Sequence, residues 1–420
     1  MSDGLGSNGV TPQSVGTRAA PPATEAVTTH IAGDAAQRAR RRLLLWGIPL
    51  FWSALYVYNA YLSAYARALG ASLSLVGIIV AAYGFTQLVL RIPIGIASDR
   101  VGRRKPFVLA GALAGALSGA SMLIAPQPWV LVLGRALAGV AAACWVPLSV
   151  LLVASYPKDQ VVRATSMATA LGAVGMTVAS AAGGQLAQVA GERPPFIVGI
   201  ALALITALLL SRVGEPERTV CRPTSLGALL AVGKTPLLLA VSIISLLNQY
   251  ITWAMTQGFV PVYAAELGAT KAQLGLLMSI WQGTYAAVSF VAAHITARLG
   301  ARWAVALGMA LTTIATLLTP AAHAVAPLLV LRFVHGAGVG IVMPVFMAGV
   351  VYAVPESRRG AAMGFYQSIY AIGMVAGPTI SGVFGDSLGL GTTFTITGLI
   401  GLVTIALSVA FLPRTMRQAE

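Results

Sequence analysis

Residues 95–105 read GIASDRVGRRK, and residues 297–302 repeat part of this sequence as ARLGAR. Each copy lies between two apolar stretches of roughly twenty residues, the length that an α-helix needs to cross a bilayer. Each copy is therefore predicted to be a short basic loop that joins two membrane-spanning helices. The two loops are not equivalent, because Gly95 and Asp99 of the first correspond to Ala293 and Ala297 of the second.

The similarity between the two halves of the chain extends well beyond these loops. Equivalent residues lie 198 positions apart over most of the sequence, and 197 apart between Arg135 and Arg332. A spacing that changes by one residue over such a length indicates duplication of one ancestral half. Further matching pairs are Asn59 and Gln257, Gly77 and Gly275, Arg100 and Arg298, Gly175 and Gly373, and Gly184 and Gly382.

The composition of the chain indicates an all-α integral membrane protein. It is 57% hydrophobic and only 9% charged, whereas soluble domains average about 25% charged residues. A water-soluble fold of this length would have too few charges to cover its surface. We predict twelve transmembrane helices, at about 43–66, 74–98, 106–125, 129–153, 164–190, 195–211, 237–264, 272–296, 303–320, 327–352, 362–385 and 393–412.

The distribution of basic residues predicts the topology. A formal net charge of +15 would also suit a nucleic-acid-binding protein, but the Lys and Arg residues fall on alternate loops. The loops of the other side contain only Arg67, Arg193 and Lys271. Because basic short loops are retained in the cytoplasm, both termini are predicted to be cytoplasmic. The positive charge thus indicates topology, and no nucleic-acid partner is expected.

These boundaries divide the chain into five parts. Residues 1–37 are predicted to be a disordered cytoplasmic tail, since their composition cannot bury apolar surface. A six-helix bundle at 38–211 and a second at 237–413 are joined by a cytoplasmic connector at 212–236, and 414–420 form a cytoplasmic tail. One chain contains both halves, so we expect a monomer. Cys144 and Cys221 are not expected to form a disulfide.

Twelve helices in two halves, with a GxxxDRxGRR loop after the second, resemble the major facilitator superfamily of secondary transporters. The general appearance is closest to its bacterial drug-efflux-like members. In that family the loop is a cytoplasmic latch, which holds the halves together while the carrier is open to the outside; the alternative is a loop that only sets topology. The latch residues implied by the resemblance are Gly95, Asp99, Arg100, Gly102, Arg103 and Arg104, with a weaker second-half set at Arg298, Gly300 and Arg302.

Small residues in the fifth and eleventh spans resemble a family motif, GxxxGPxxGG, that is associated with antiporters. In the fifth span Ala179 and Ser180 replace its GP pair, so this signal is degraded. Small residues allow helices to approach closely, and we expect them to pack the two halves together near the outer side. The residues are Gly175, Gly183 and Gly184 in the fifth span, and Gly373, Gly377 and Pro378 in the eleventh.

Polar and aromatic side chains within the spans are candidates for a solute site. Spacings of three or four residues place Tyr56 with Asn59, and Gln249, Trp253 and Gln257, along single helix faces. The resemblance implies that the first and seventh helices line a central cavity, and that Arg135 influences protonation in proton-linked members. The alternative is that these side chains only join helices by hydrogen bonds. The full candidate set is Tyr56, Asn59, Gln87, Arg91, Arg135, Gln249, Trp253, Gln257, Trp281, Gln282 and Arg332.

The acidic residues limit the mechanism. All 12 of them lie outside the middle of the predicted spans, whereas proton-driven carriers usually protonate a buried carboxylate. Coupling to a proton is therefore left open, with Asp99, Asp386, Glu266, His294 and His335 as candidate groups. The lack of a buried acid also argues against a site dedicated to cationic drugs.

The sequence predicts a secondary active transporter in the bacterial inner membrane, which exports small amphipathic organic compounds by alternating access. Its partners would be a small-molecule substrate and the lipid bilayer. One alternative is an uptake carrier or facilitator for a neutral or anionic metabolite, and another is a membrane sensor without transport activity. We find no nucleotide-binding loop, nucleophile motif or metal-ligand cluster in the sequence, so no enzyme, cofactor or metal is predicted.

Overall fold

The computed structural model describes residues 23–215, 227 and 231–414, and the regular structure in this part of the chain is entirely helical. The helices are α1 (Ala23–Tyr56), α2 (Leu62–Ala68), α3 (Leu73–Val101), α4 (Lys105–Leu123), α5 (Val130–Ala143), α6 (Trp145–Val153), α7 (Val161–Ala190), α8 (Pro194–Ser211), α9 (Pro236–Thr252), α10 (Val260–Glu266), α11 (Lys271–Leu299), α12 (Ala301–Leu318), α13 (Val325–Tyr352) and α14 (Arg359–Phe411). A π-helix, Trp253–Phe259, joins α9 to α10, and short 3₁₀ turns lie at Lys158–Gln160, Thr319–Ala321 and Glu356–Arg358.

The predicted all-α membrane class is confirmed. By length and composition, ten helical stretches among the described residues can cross a membrane. One of them, α14, has 53 residues, and Gly389 interrupts it with a φ of 80°. It therefore supplies two lengths of helix, which the sequence assigns to the eleventh and twelfth spans. The count of twelve and the cytoplasmic position of the termini stay predictions.

The first helix is longer than the sequence predicted. It begins at Ala23, within the segment 1–37 that the sequence assigns to a cytoplasmic tail; the predicted domain boundaries stay predictions. Adding a residue to an existing helix is far easier than starting a new one, and the alanine-rich segment before the first span continues that helix. Residues 1–22, most of the connector predicted at 212–236, and residues 415–420 lie outside the described part of the chain.

The first and seventh spans are both interrupted, at positions that correspond in the repeat. Residues 57–61 form a turn between α1 and α2, and residues 253–259 form the π-helix. Pro261 has no N–H, so the Gln257 carbonyl lacks the partner that a helix would supply four residues later. The Ser63 hydroxyl donates to this carbonyl at 2.5 Å. Gln257 thus lies in a π-helix and not in the α-helix that the sequence predicted, and the prediction that Tyr56 and Asn59 share one helix face is wrong because Asn59 lies in the turn.

The two halves of the chain meet along two helix pairs, α3 with α14 and α7 with α11. A Cβ added to Gly184 would lie 2.7 Å from the Cα of Gly275, and one added to Gly77 would overlap the carbonyl of Pro378. Both contacts join the halves, as expected for the small residues. The other four predicted packing glycines instead contact helices of their own half: Gly175 and Gly183 contact the first span, and Gly373 and Gly377 contact α9. The irregular backbone of the first and seventh spans needs this close support.

We expect Gly183→Ala to destabilise the protein. The added Cβ would overlap the Val57 carbonyl oxygen, which belongs to the interrupted segment of the first span. Overpacking of this kind typically costs about 1–3 kcal/mol, so the unfolding temperature of the purified protein in detergent should fall. Gly283→Ala is the matched control, because its Cβ would lie at an ordinary 3.7 Å from Thr177. Equal unfolding temperatures for the two variants would contradict the packing role.

Candidate functional site

The two ends of the helix bundle differ in how the halves meet. Hydrogen bonds and an ion pair join the halves at the end that carries Leu73, Gln188, Lys271 and Asp386, which we call the closed face. The opposite end, which we call the basic face, carries the loops at 102–104 and 300. Between Arg91 and the basic face, no hydrogen bond or ion pair is found between the halves in the described ranges. In the described ranges, the polar contacts between the halves thus lie at the centre and at the closed face.

Asp386 of α14 joins the halves by binding the first turn of α3. Its two carboxylate oxygens accept hydrogen bonds from the backbone N–H groups of Leu73 and Ser74, each at 2.8 Å. The first N–H groups of a helix have no partner within the helix, and a negative charge is favourable at this end of the helix dipole. One side chain of the C-terminal half therefore completes a helix of the N-terminal half.

A second contact at the closed face is related to the first by the repeat. Gln188 of α7 accepts a hydrogen bond from the backbone N–H of Lys271 at 3.0 Å. Gln188 and Asp386 are 198 positions apart, as are Leu73 and Lys271. The Lys271 ammonium also pairs with Glu192 at 2.7 Å. Each half thus caps a helix of the other, once with a carboxylate and once with a neutral amide.

A chain of hydrogen bonds crosses the centre of the molecule. Buried Arg135 donates to Asn59 Oδ1 at 2.9 Å, and Asn59 Nδ2 donates to Gln257 Oε1 at 2.6 Å. Both amides lie in the interrupted segments of their spans. The Arg135 guanidinium also lies 4.6 Å from the centre of the Tyr83 ring, which stacks on Trp253 with centroids 5.3 Å apart. In this conformation, these candidate side chains join the two halves.

Gln282 also takes part in joining the halves. It is buried and accepts a hydrogen bond from Ser180 of α7 at 3.3 Å. Gln87 and Gln249 are buried as well. The alternative that polar side chains serve interhelical bonding thus describes Asn59, Gln257 and Gln282 in this conformation.

The remaining candidates lie in an aromatic cluster to which both halves contribute. Tyr56, Arg91 and Trp281 are half-buried and keep part of their surface accessible. Arg91 donates to the Tyr370 hydroxyl at 2.8 Å, and Trp281 stacks on Tyr285 with ring centres 5.8 Å apart. Such a cluster offers flat apolar surface together with phenol and guanidinium groups. Sequence reasoning missed Tyr370, although it belongs to an eleventh-span helix already identified as an inter-half element.

Arg332 belongs to the C-terminal half, and its side chain is more deeply buried than that of Arg91. Its guanidinium lies 5.6 Å from the centre of the Trp281 ring. The Trp281 indole N–H donates to Nδ1 of His335 at 2.9 Å. Arg332, Trp281 and His335 therefore form one connected group on α11 and α13, and no acidic side chain of the described residues forms an ion pair with it.

The basic loop between α3 and α4 makes its contacts within the N-terminal half. Arg104 pairs with Asp99 at 3.1 Å, and Gly102 reverses the chain with a φ of 63°. Glu215, which sequence reasoning missed, accepts a hydrogen bond from the backbone N–H of Lys105 at 2.9 Å. No heavy atom lies within 4 Å of a Cβ built at Gly95, so the close approach expected there does not occur in this conformation. Arg100 and Arg103 are exposed.

The corresponding loop of the second half contacts the residues that directly follow α14. Gly300 has a φ of 81°, and Arg302 donates to the Leu412 carbonyl at 2.7 Å. Arg298 is exposed. No acid of the described residues pairs with either arginine, which agrees with the loss of the aspartate from this copy.

The family model described as Major Facilitator Superfamily matches residues 44–253 and again residues 242–420. The chain belongs to this family. The match confirms the predicted resemblance to this family, which rested on the GIASDRVGRRK loop and on the two similar halves. The two overlapping matches also follow the internal repeat, since each covers about one six-helix half.

Several named transporters are similar in sequence. The multidrug resistance protein MdtG of Rahnella is 26% identical over 416 residues, which cover 94% of this chain and 99% of that protein. The class C tetracycline resistance protein of Escherichia coli is 26% identical and covers 82% of this chain and 87% of its own length. The synaptic vesicular amine transporter of Mus musculus is 28% identical over 78% of this chain, but the match spans only 64% of that transporter.

Solved structures share the fold. The nucleoside transporter NupG superposes with a TM-score of 0.70 at 16% identity, covering 90% of this chain and 98% of its own. A bacterial homologue of the human lysosomal transporter Spinster gives a TM-score of 0.75 at 13% identity, covering 89% of this chain and 96% of its own. The family match is to the Major Facilitator Superfamily, and the relatives above are named as transporters or as drug-resistance proteins.

The Asn59–Gln257 hydrogen bond should be measurable as a coupling free energy. Asn59→Ala and Gln257→Ala should each lower the free energy of unfolding, but together should cost less than the sum of the two. The difference should be about 1 kcal/mol, the usual net value of a buried hydrogen bond. A cycle of Gln87→Ala with Gln257→Ala is the control and should be additive, because no hydrogen bond joins that pair. Additivity in the first cycle would mean that the bond contributes nothing.

Proposed function

We propose that this protein exports small amphipathic organic compounds from the bacterial cytoplasm across the inner membrane. Transport would proceed by alternating access between the two halves. The observation that carries the proposal is the group of aromatic residues Tyr56, Trp281, Tyr285 and Tyr370, to which both halves contribute; between this group and the basic face, no hydrogen bond or ion pair joins the halves in the described ranges. The tetracycline and multidrug resistance proteins among its relatives support the outward direction.

The charges around this cluster favour neutral or anionic solutes. Arg91 lies in the cluster and donates to Tyr370, and Arg135 lies over the Tyr83 ring. The acids nearest the membrane, Asp99 and Asp386, are at opposite ends of the bundle. A cationic amine would meet arginines without a compensating carboxylate, which is unfavourable in a medium of low dielectric constant. We therefore assign a different substrate class from the one in the name of the vesicular amine transporter.

The asymmetry of the two ends supports an inward-open conformation. Basic short loops favour the cytoplasmic side, so the basic face would be cytoplasmic and the closed face would be external. Asp99 then pairs with Arg104 of its own loop and with no residue of the other half among those described. When the halves close there, the family's latch function assigns Asp99 to the contact between them, while Asp386 and Gln188 would release α3 and α11.

The two aspartates should therefore bias the conformational equilibrium in opposite directions. Asp386→Asn weakens a contact present in the inward-open state, so the population open to the outside should rise. Asp99→Asn weakens the latch of the outward-open state, so that population should fall. The measurement is the distribution of distances between spin labels on the two halves at the closed face. Glu356→Gln is the control, since the Glu356–Arg359 pair is local and exposed. Shifts in the same direction would contradict the two-latch proposal.

Export can be tested with a fluorescent amphipathic dye in bacterial cells that lack their major exporters. Cells that express this protein should accumulate several-fold less dye than cells that express Asp99→Asn at the same membrane level. Addition of a protonophore separates the mechanisms: a rise in accumulation to the control level indicates proton coupling, and no change indicates another driving force. Higher accumulation than in cells without the protein would overturn export in favour of uptake. If cells with and without the protein accumulate every neutral, anionic and cationic dye equally, the proposal of transport itself is overturned.

A further inference from the structure

Arg332 is a buried cation without a partner of opposite charge. Its side chain is 4% exposed, and it makes no hydrogen bond to any residue that the structure describes. Its counterpart in the repeat, Arg135, is equally buried but donates to Asn59. The residue equivalent to Asn59 is Gln257, and its side-chain oxygen is already bound by Asn59. The C-terminal arginine has therefore lost the acceptor that the N-terminal arginine keeps.

An uncompensated charge of this kind is costly in the interior of a membrane protein. Moving an ion out of water costs several kcal/mol even after the protein relaxes, and buried charges are normally paired. The Trp281 ring at 5.6 Å supplies only about 0.5–2 kcal/mol of cation–π attraction. The guanidinium needs a further negative partner, and the described residues provide none.

A second unpartnered donor lies beside Arg332. His335 is 2% exposed, and its Nδ1 accepts a hydrogen bond from the Trp281 indole. A neutral imidazole has one donor and one acceptor nitrogen, so Nε2 must carry the hydrogen. That Nε2 is buried and has no hydrogen-bond partner among the described residues. A proton on Nδ1 would break the hydrogen bond from Trp281, and a second positive charge would be repelled by Arg332. His335 is therefore neutral here.

Both donors line the same small cavity between the seventh, ninth and tenth spans. It leaves about 10 Å³ for the centre of a water-sized sphere, which is about the space that one water molecule occupies. The Thr319 hydroxyl, also on the lining, donates to its own helix at Ala315. The remaining lining is apolar: Met255, Val260, Ala315, Leu328 and Leu331. The cavity thus combines one positive charge, one neutral N–H donor and apolar walls.

We infer that this cavity is a binding site for a small monovalent anion, chloride, held by the guanidinium of Arg332 and the Nε2–H of His335. A water molecule could accept from His335, but it would leave the charge of Arg332 uncompensated. A carboxylate or phosphate needs more volume than the cavity offers. Chloride satisfies the charge and both donors at once. This site is independent of the direction of transport and of the solute that is carried.

The position of the site connects it to the interrupted seventh span. Met255 lies in the π-helix and Val260 begins α10, directly after it. Gln257 of the same π-helix binds Asn59 across the molecular centre. An anion that fixes Arg332 against this segment therefore stabilises the backbone from which the two halves are joined. Chloride would act as a structural ion of the C-terminal half.

The test is the unfolding temperature of the purified full-length protein at constant ionic strength, with gluconate replaced stepwise by chloride. We expect a saturable rise of several degrees, a similar rise with bromide, and none with sulfate. Arg332→Gln should abolish the rise and should be at least as stable as the wild type in gluconate, because it removes the unpaired charge. Arg91→Gln is the matched control and should keep the response, since Arg91 is half-buried and bonded to Tyr370.

Crystals grown in bromide provide a direct measurement that does not depend on a variant. An anomalous peak within hydrogen-bonding distance of both Arg332 and His335 Nε2 is expected. Equal unfolding temperatures in gluconate and chloride, or an equal chloride response in Arg332→Gln, would overturn the site. Density for water without an anomalous signal at saturating bromide would also overturn it. None of these three results would affect the export proposal, which the accumulation assay tests separately.

Discussion

Backbone groups inside a bilayer have no water to bond with, and this constraint governs the centre of the molecule. The first and seventh spans are interrupted there, at residues 57–61 and 253–259. One backbone group of the seventh span is satisfied from the opposite half, because Ser63 donates to the Gln257 carbonyl, and the Asn59 side chain donates to the Gln257 side chain beside it. Gly183 also packs closely on Val57 of the first interruption, and Gly377 packs on Tyr250 of α9, just before the second. The polar contacts at the centre of the junction therefore come from the irregular parts of the two spans.

Electrostatics divides the molecule into layers. Acidic side chains occur at the two ends, where Asp99 and Asp386 bind loop and helix-terminal groups. The middle contains arginines but no carboxylate among the described residues. Arg135 finds amide and aromatic partners, whereas Arg332 finds only a ring. This distribution underlies both proposals, because it favours uncharged or anionic solutes in the central cluster and leaves a cationic cavity in the C-terminal half.

Much of the architecture could be predicted from the sequence, because the repeat and the charge pattern are properties of the chain itself. The helical membrane class follows from the composition and the apolar spans, and the family follows from GIASDRVGRRK and the repeat between the two halves. The interruption at Gln257 could have been inferred from Pro261, but the π-helix could not, because periodicity assumes one helical geometry. The partners of buried arginines depend on side-chain positions that spacing does not give. The equivalence of Gln188 with Asp386, and of Lys271 with Leu73, was detectable from the offset of 198, but the contact between each pair was not.

The two caps at the closed face differ by one functional group, a carboxylate at Asp386 and an amide at Gln188. A carboxylate binds a helix terminus through charge and is weakened by protonation and by salt, whereas an amide is indifferent to both. The two caps therefore respond unequally to pH and to salt. Duplication supplied a symmetric pair of helix caps, and a single divergent position gave one of them a sensitivity that the other does not share.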